Sequence, residues 1–133
     1  MTRYLLDTNI ISDLVRKPKG RVADHIARVG ENNICTSIIV AAELRYGCAK
    51  SGSKRLLEAV ESLLGELDVL SLEGPADTEY GRIRAELEQR GTPIGANDLL
   101  IAAHALAIEA TMVTANMDEF TQVKGLKVQN WLL

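Results

Sequence analysis

The 133-residue chain lacks a charge excess large enough to name a partner: 15 Lys and Arg stand against 18 Asp and Glu, a net charge of −3. With a pI of about 5.4, a basic protein that coats nucleic acid is excluded, though an enzyme with a local basic edge is not. No apolar run approaches the roughly 20 residues of a membrane span. The short run in MTRYLLDTN stops at Asp7 and does not make a signal peptide. The expectation is therefore a cytoplasmic protein with no membrane partner. The only two cysteines, Cys35 and Cys48, have no framework spacing, and no C-x-x-C or H-x3-H pair is present. A disulfide scaffold is excluded, and a zinc site from Cys35, Cys48, His25 and His104 has no support. No elbow glycines flank Ser12, Ser37 or Ser51, so a Ser–His–Asp hydrolase has nothing to recommend it. Repeats, low-complexity segments and long linkers are also missing.

What is present is a globular composition, 47% apolar and 25% charged, in a length that fits one domain over residues 1–133. RYLL reads as a short buried strand, and NIISDLVRK has helical spacing. RVADHIARVG is a second helix ending at Gly30. NICTS is a strand, followed by a helix running from a Thr36/Ser37 cap to Gly52. SKRLLEAVESLLGEL is helical, DVLSL a strand, and GPADTEYGRIRAELEQRG a helix starting at Pro75. ANDLLIAAHALAIEA is an almost wholly apolar, hence central, helix. TMVTAN and LKVQNW are further strands. Strands separated by helices predict an α/β sandwich with a small parallel sheet of four or five strands.

Three acids lie in apolar settings. Asp7 ends the first strand, at the edge where open α/β sheets place ligands. Glu43 lies among Ile39, Val40, Ala42 and Leu44, and Asp98 opens a helix with no polar face. Singly, Asp7 and Asp98 read equally well as helix caps, and Glu43 as a partner of Arg45 or another arginine. Together they can meet in one cleft. Clustered carboxylates raise one another's pKa unless a cation neutralises them, and all-oxygen ligation suits Mg2+ or Mn2+. A fourth contributor comes from VTANMDEF. Asn116 and Glu119 either face the site together or form a capping pair, and Asp118 is solvated.

The segments YLLDTN, SIIVAAELRYG, RIRAELEQRGTPIGANDLLIAAHAL and VTANMDEFTQVKGLKVQNW occur in one order across nearly the whole chain. In this the chain resembles PIN-domain ribonucleases, specifically VapC-like toxins of type II toxin–antitoxin modules. The resemblance implies a three-layer α/β/α PIN-like domain, a homodimer, and endoribonuclease activity dependent on Mg2+ or Mn2+. It also implies inhibition by a VapB-type antitoxin. Asp7, Glu43 and Asp98 carry over as catalytic, metal-holding residues. Asn116 stands where many relatives carry an aspartate, so the fourth acid is either replaced by Glu119 or reduced to a hydrogen bond. By resemblance the substrate is RNA, with the anticodon stem-loop of initiator tRNA as leading guess. Hydrolysis by a metal-activated water would leave a 5′-phosphate and a 3′-hydroxyl.

Thr8, Thr114 and Asn116 are expected to support the ligands or the phosphate from behind. Arg16, Lys17, Lys19 and Arg21 can form a basic rim for RNA or an ordinary solvated face, and Lys50, Lys54 and Arg55 likewise. Arg82 and Arg84 are assigned to Glu86 and Glu88 on their own helix. His104 is assigned to the core. SIIVAAEL, RLLEAVESLL and the C-terminal NWLL are expected to leave an apolar groove for a second copy or an antitoxin helix. Two rivals stay open: a catalytically weak PIN scaffold acting through antitoxin binding, and a Mg2+-binding signalling module.

Overall fold

The computed structural model describes residues 2–133. Five strands alternate with helices: β1 Arg3–Leu6, β2 Ile34–Ser37, β3 Asp68–Leu70, β4 Ala110–Val113 and β5 Val128–Gln129. Helices α1 Thr8–Arg16 and α2 Arg21–Val29 join β1 to β2, and α3 Ile38–Ser51 and α4 Lys54–Glu66 join β2 to β3. Helices α5 Ala76–Gln89 and α6 Ala96–Ala107 lead to β4, and the single turn α7 Met117–Phe120 precedes β5. All pairings are parallel, in the order β3-β2-β1-β4-β5. Right-handed crossovers put α1–α4 on one face of the sheet and α5–α7 on the other. The packing agrees: α1 touches α2, α3 and α4, while α6 touches α5 and α7. The result is the three-layer α/β/α arrangement with five strands.

The strands are short and apolar because both faces are covered. Every residue of β2 and of β4 is buried, and the edge strands β3 and β5 are cut to three and two residues. Helix α6 is the central one, with Leu99, Ile101, Ala102, Ala103, His104 and Ala105 buried. His104 belongs to the core as expected: its Nδ1 lies 2.8 Å from Ser37 Oγ, and burial pushes its pKa down. Ser37 in turn accepts from Ile39 N at the start of α3. Among the described residues the cysteines and histidines form no zinc set. Both cysteines are buried and free, and burial pushes the Cys35 thiol up to about 11.

Three details differ from the sequence reading. Helix α6 stops at Ala107, because the chain reverses into β4 through Glu109, held at φ 56°. Pro75 sits at the cap of α5 rather than inside it. The C-terminal NWLL is not an open apolar groove. Trp131 is 1% exposed, stacked on His25 at 5.0 Å and tilted against Tyr4 at 5.3 Å, with its indole N–H donating to Gln129 Oε1. Only Leu133 projects outward.

Trp131 therefore straps the end of the chain over β1 and α2. Trp131→Ala is expected to cost about 3–5 kcal/mol, read as a lower urea midpoint. A midpoint unchanged from the parent would mean the strap contributes nothing.

Candidate active site

The register of the central strands builds the site. Leu6 pairs with Val113, so Asp7 and Thr114 emerge side by side from the carboxyl ends of β1 and β4. The backbone is tied there by Asp7 N donating to Val113 O at 2.9 Å. The connection leaving β1 runs to one side of the sheet and the one leaving β4 to the other, so a crevice opens between them. Asp7 is 3% exposed. Its Oδ1 accepts from Thr8 N at 2.8 Å and its Oδ2 from Thr114 Oγ1 at 2.7 Å. It is also the N-cap of α1, so the cap reading holds at a residue that faces the crevice.

The remaining acids reach the same crevice through polar intermediaries. Glu43, half-buried on α3, accepts from Thr8 Oγ1 at 2.5 Å and from Asn97 Nδ2 at 3.3 Å. Its anticipated partner Arg45 instead grips Glu61 with two bonds of 2.8 and 2.9 Å. Asp98 is not a cap: Gly95 holds that position, and Asp98 lies in the first turn of α6. Its Oδ2 accepts from Asn116 Nδ2 at 3.4 Å. Asn116 stands at the cap of α7 but makes no side-chain cap bond, so the capping pair with Glu119 does not form. Its backbone N–H donates to Thr114 Oγ1. Glu119 Oε2 is buried with no hydrogen-bond partner among the described residues. Asp118 is exposed, as expected.

Two asparagines escaped the sequence reading. Asn97 holds Glu43, and Asn9 Oδ1 accepts from Ala115 N at 3.0 Å, pinning the loop after β4 to α1. Their signal was position alone: each lies within two residues of a site aspartate, in a first helical turn. The basic rim divides. Arg16 lines a pocket that also includes Thr8 and Glu43, while lying 3.7 Å from Asp13. Lys17 lies 4.0 Å from Asp13, and Lys19 and Arg21 are exposed. Arg82 and Arg84 pair within α5, as expected.

The electrostatics show four carboxylates sensing one another. Burial pushes the Asp7 pKa up; the bonds from Thr114 and Thr8 pull it back, and the charges of Glu43 and Glu119 raise it. Asp98 is pushed up to about 8, first by burial, then by the adjoining Glu119 carboxylate and the charges of Asp7 and Glu43. As the side chains stand, no three acids, imidazoles or thiols among the described residues form a closed ligand set. Asp7 and Glu43 commit their oxygens to Thr8, Thr114 and Asn97. In chemistry the donors nevertheless fit a hard divalent cation. They are all oxygen, they repel one another, and Glu119 offers a buried oxygen with no other partner.

The PIN-domain family model matches residues 4–126. The chain is 40% identical to ribonuclease VapC2 of Rickettsia felis, over 96% of this chain and 97% of that protein. It is 35% identical to the tRNA(fMet)-specific endonuclease VapC of Shigella flexneri, over 98% of this chain and 99% of that one. The solved structure of Rickettsia felis VapBC2 bound to a promoter DNA fragment superposes with a TM-score of 0.90 at 38% identity, covering 98% of this chain and 99% of that one.

The raised Asp98 pKa has a signed consequence. Between the ordinary value of 3.8 and about 8 the folded state holds a proton that the unfolded state has released. Stability contributed by Asp98 is thus full below that window and lost as pH rises through it. With divalent cations chelated, the thermal midpoint of the parent is expected to fall across this window relative to Asp98→Asn. The comparison cancels the histidines. Parallel profiles would refute the coupling.

Proposed function

The chain belongs to the PIN-domain family, alongside the VapC ribonucleases, and from that premise we propose that it is a divalent-cation-dependent endoribonuclease, the toxin of a toxin–antitoxin pair. The convergence of Asp7, Glu43, Asp98 and Glu119 at the carboxyl ends of β1 and β4 carries this reading. The substrate is tRNA, cut in the anticodon stem-loop of the initiator, in line with the tRNA(fMet) specificity of the Shigella relative. The active protein is one domain over residues 1–133, a homodimer, and works in the cytoplasm where tRNA is found.

Asp7, Asp98 and Glu43 hold Mg2+ or Mn2+, and Glu119 supplies the fourth carboxylate. Asn116 keeps only a hydrogen bond to Asp98. When bound, the cation neutralises phosphate charge and acidifies a water. Thr114 fixes the rotamer of Asp7, and Thr8 with Asn97 fixes that of Glu43. Glu43 orients the attacking water in line with the leaving 3′ oxygen and takes its proton, while the departing 3′ oxygen is protonated from solvent, giving a 5′-phosphate and a 3′-hydroxyl. Arg16 meets the RNA backbone at the rim, with Lys17, Lys19 and Arg21 as its outward continuation.

The inhibiting partner is a VapB-type antitoxin. A cleft of about 400 Å³ between α1, α2 and α4, walled by Leu14, Ala23, Ile26 and Leu63, fits the apolar face of a helix. A Mg2+-binding signalling module does not account for four carboxylates, and Glu119 supplies the acid whose absence would favour an inert scaffold.

Cleavage of end-labelled initiator-tRNA stem-loop by antitoxin-free protein tests the proposal. One discrete cut is expected with Mg2+ and none with EDTA. Asp7→Asn should lower the rate by more than about a hundredfold with the fold retained, since even outer contacts of metal ligands are worth 10–100-fold. Full activity in EDTA, or in Asp7→Asn, refutes it. Replacing Arg16, Lys17, Lys19 and Arg21 by Gln is expected to flatten the slope of log affinity against log salt by about 0.7 for each phosphate that is no longer neutralised. An unchanged slope leaves those residues as a solvated face.

A further inference from the structure

A cavity of about 390 Å³ opens between α1, α3 and α4, directly beside the carboxylates. Thr8 and Glu43 form its near rim, so it continues from the reaction centre. Its floor is apolar, built by Leu44, Leu56 and Val60. Its far rim is polar: Ser12 and Arg16 follow Thr8 at four-residue intervals on α1, so all three face the same way. Arg16 has no tight ion pair. Its side chain is 65% exposed, and its contact with Asp13 is 3.7 Å long.

We infer that this cavity is a subsite for one nucleobase of the RNA, that of a nucleotide flanking the scissile phosphate. The inference rests on the ribonuclease reading. Gly47, in the cavity wall, follows Glu43 by one helical turn, about 5.4 Å. An occupant therefore lies within one nucleotide of the carboxylates. The size falls in the range of pockets for small ligands. An unstacked base has an apolar face for Leu44, Leu56 and Val60, and an edge of donors and acceptors for the Ser12 hydroxyl and the Arg16 fork. The positive charge of Arg16 matches the phosphates on either side of that base. A partner's apolar side chain would use the floor but not the polar rim.

Gly47 gives the test its handle. A Cβ built there meets no atom within 4 Å, so a substitution at this point of the cavity wall starts into open space. Once the cut is mapped on a stem-loop RNA, single abasic nucleotides are placed on either side of it. In the parent, one abasic position is expected to raise KM by roughly tenfold or more, the worth of one bound base. Gly47→Leu should raise KM similarly on intact RNA and be indifferent to the abasic change, with Gly47→Ala intermediate. The subsite is overturned if Gly47→Leu cleaves intact RNA like the parent, including where it weakens only the binding of an antitoxin peptide. It is equally overturned if the two losses multiply independently. If the parent cuts no RNA in Mg2+, the ribonuclease reading has failed before the subsite is reached.

Discussion

The site is organised by a carboxylate held where water barely reaches it. Asp7 is 3% exposed at the end of an apolar strand, a placement that is costly without partners. Two short hydrogen bonds, from Thr8 N and Thr114 Oγ1, provide them. The first is local to the cap of α1; the second depends on register. Slipping β1 against β4 by one residue would turn Thr114 to the other face of the sheet and leave Asp7 Oδ2 without its partner. The strand pairing that builds the core and the hydrogen bond that fixes the first site residue are thus one constraint. It also explains the position of the crevice, which opens where connections leave the central strands in opposite directions.

From Asp7 the polar network spreads in two directions. One path runs through Thr8 to Glu43 and on to Asn97, linking α1, α3 and α6. The other runs through Thr114 to the backbone of Asn116, whose side chain reaches Asp98. Neutral side chains stand between Asp7, Glu43 and Asp98, limiting repulsion without removing it, while Glu119 acts on Asp98 directly. What repulsion remains shows in Asp7 and Asp98, both pushed upward. Glu119 contributes charge from a buried oxygen that the protein itself does not satisfy. The arrangement has its acids fixed in place and their charge left for something positive to complete.

The surroundings balance this centre unevenly. Arg45, Arg82 and Arg84 are engaged by Glu61, Glu79, Glu86 and Glu88, so all three arginines of α3 and α5 are internally paired. Arg16 is the basic side chain that borders both the polar rim and the apolar pocket beside Glu43. A net charge of −3 is therefore compatible with binding an anionic polymer, because the relevant positive charge is local.

Much of this was legible in the chain itself. The alternation of short apolar strands with amphipathic helices fixed the fold class, because buried parallel strands leave continuous apolar runs. Asp7, Glu43 and Asp98 stood out because acids in apolar segments require a reason. The opposite placements of Arg45 and Trp131 were not legible. Whether an arginine meets Glu43 or Glu61, and whether a C-terminal tryptophan packs inward, depend on elements distant in sequence. The same holds for Asn116 and Glu119: local spacing allows a cap, and only the approach of α6 gives the asparagine a better acceptor in Asp98. The contacts of Asn97 and Asn9 form only once α6 and the loop after β4 meet α3 and α1, and the pocket beside Gly47 only once α1, α3 and α4 meet. Sequence determines which residues cannot be left alone in an apolar core, since that cost is local. Tertiary structure decides which groups relieve it, since hydrogen bonds and charges act over a few ångströms, whatever the separation along the chain.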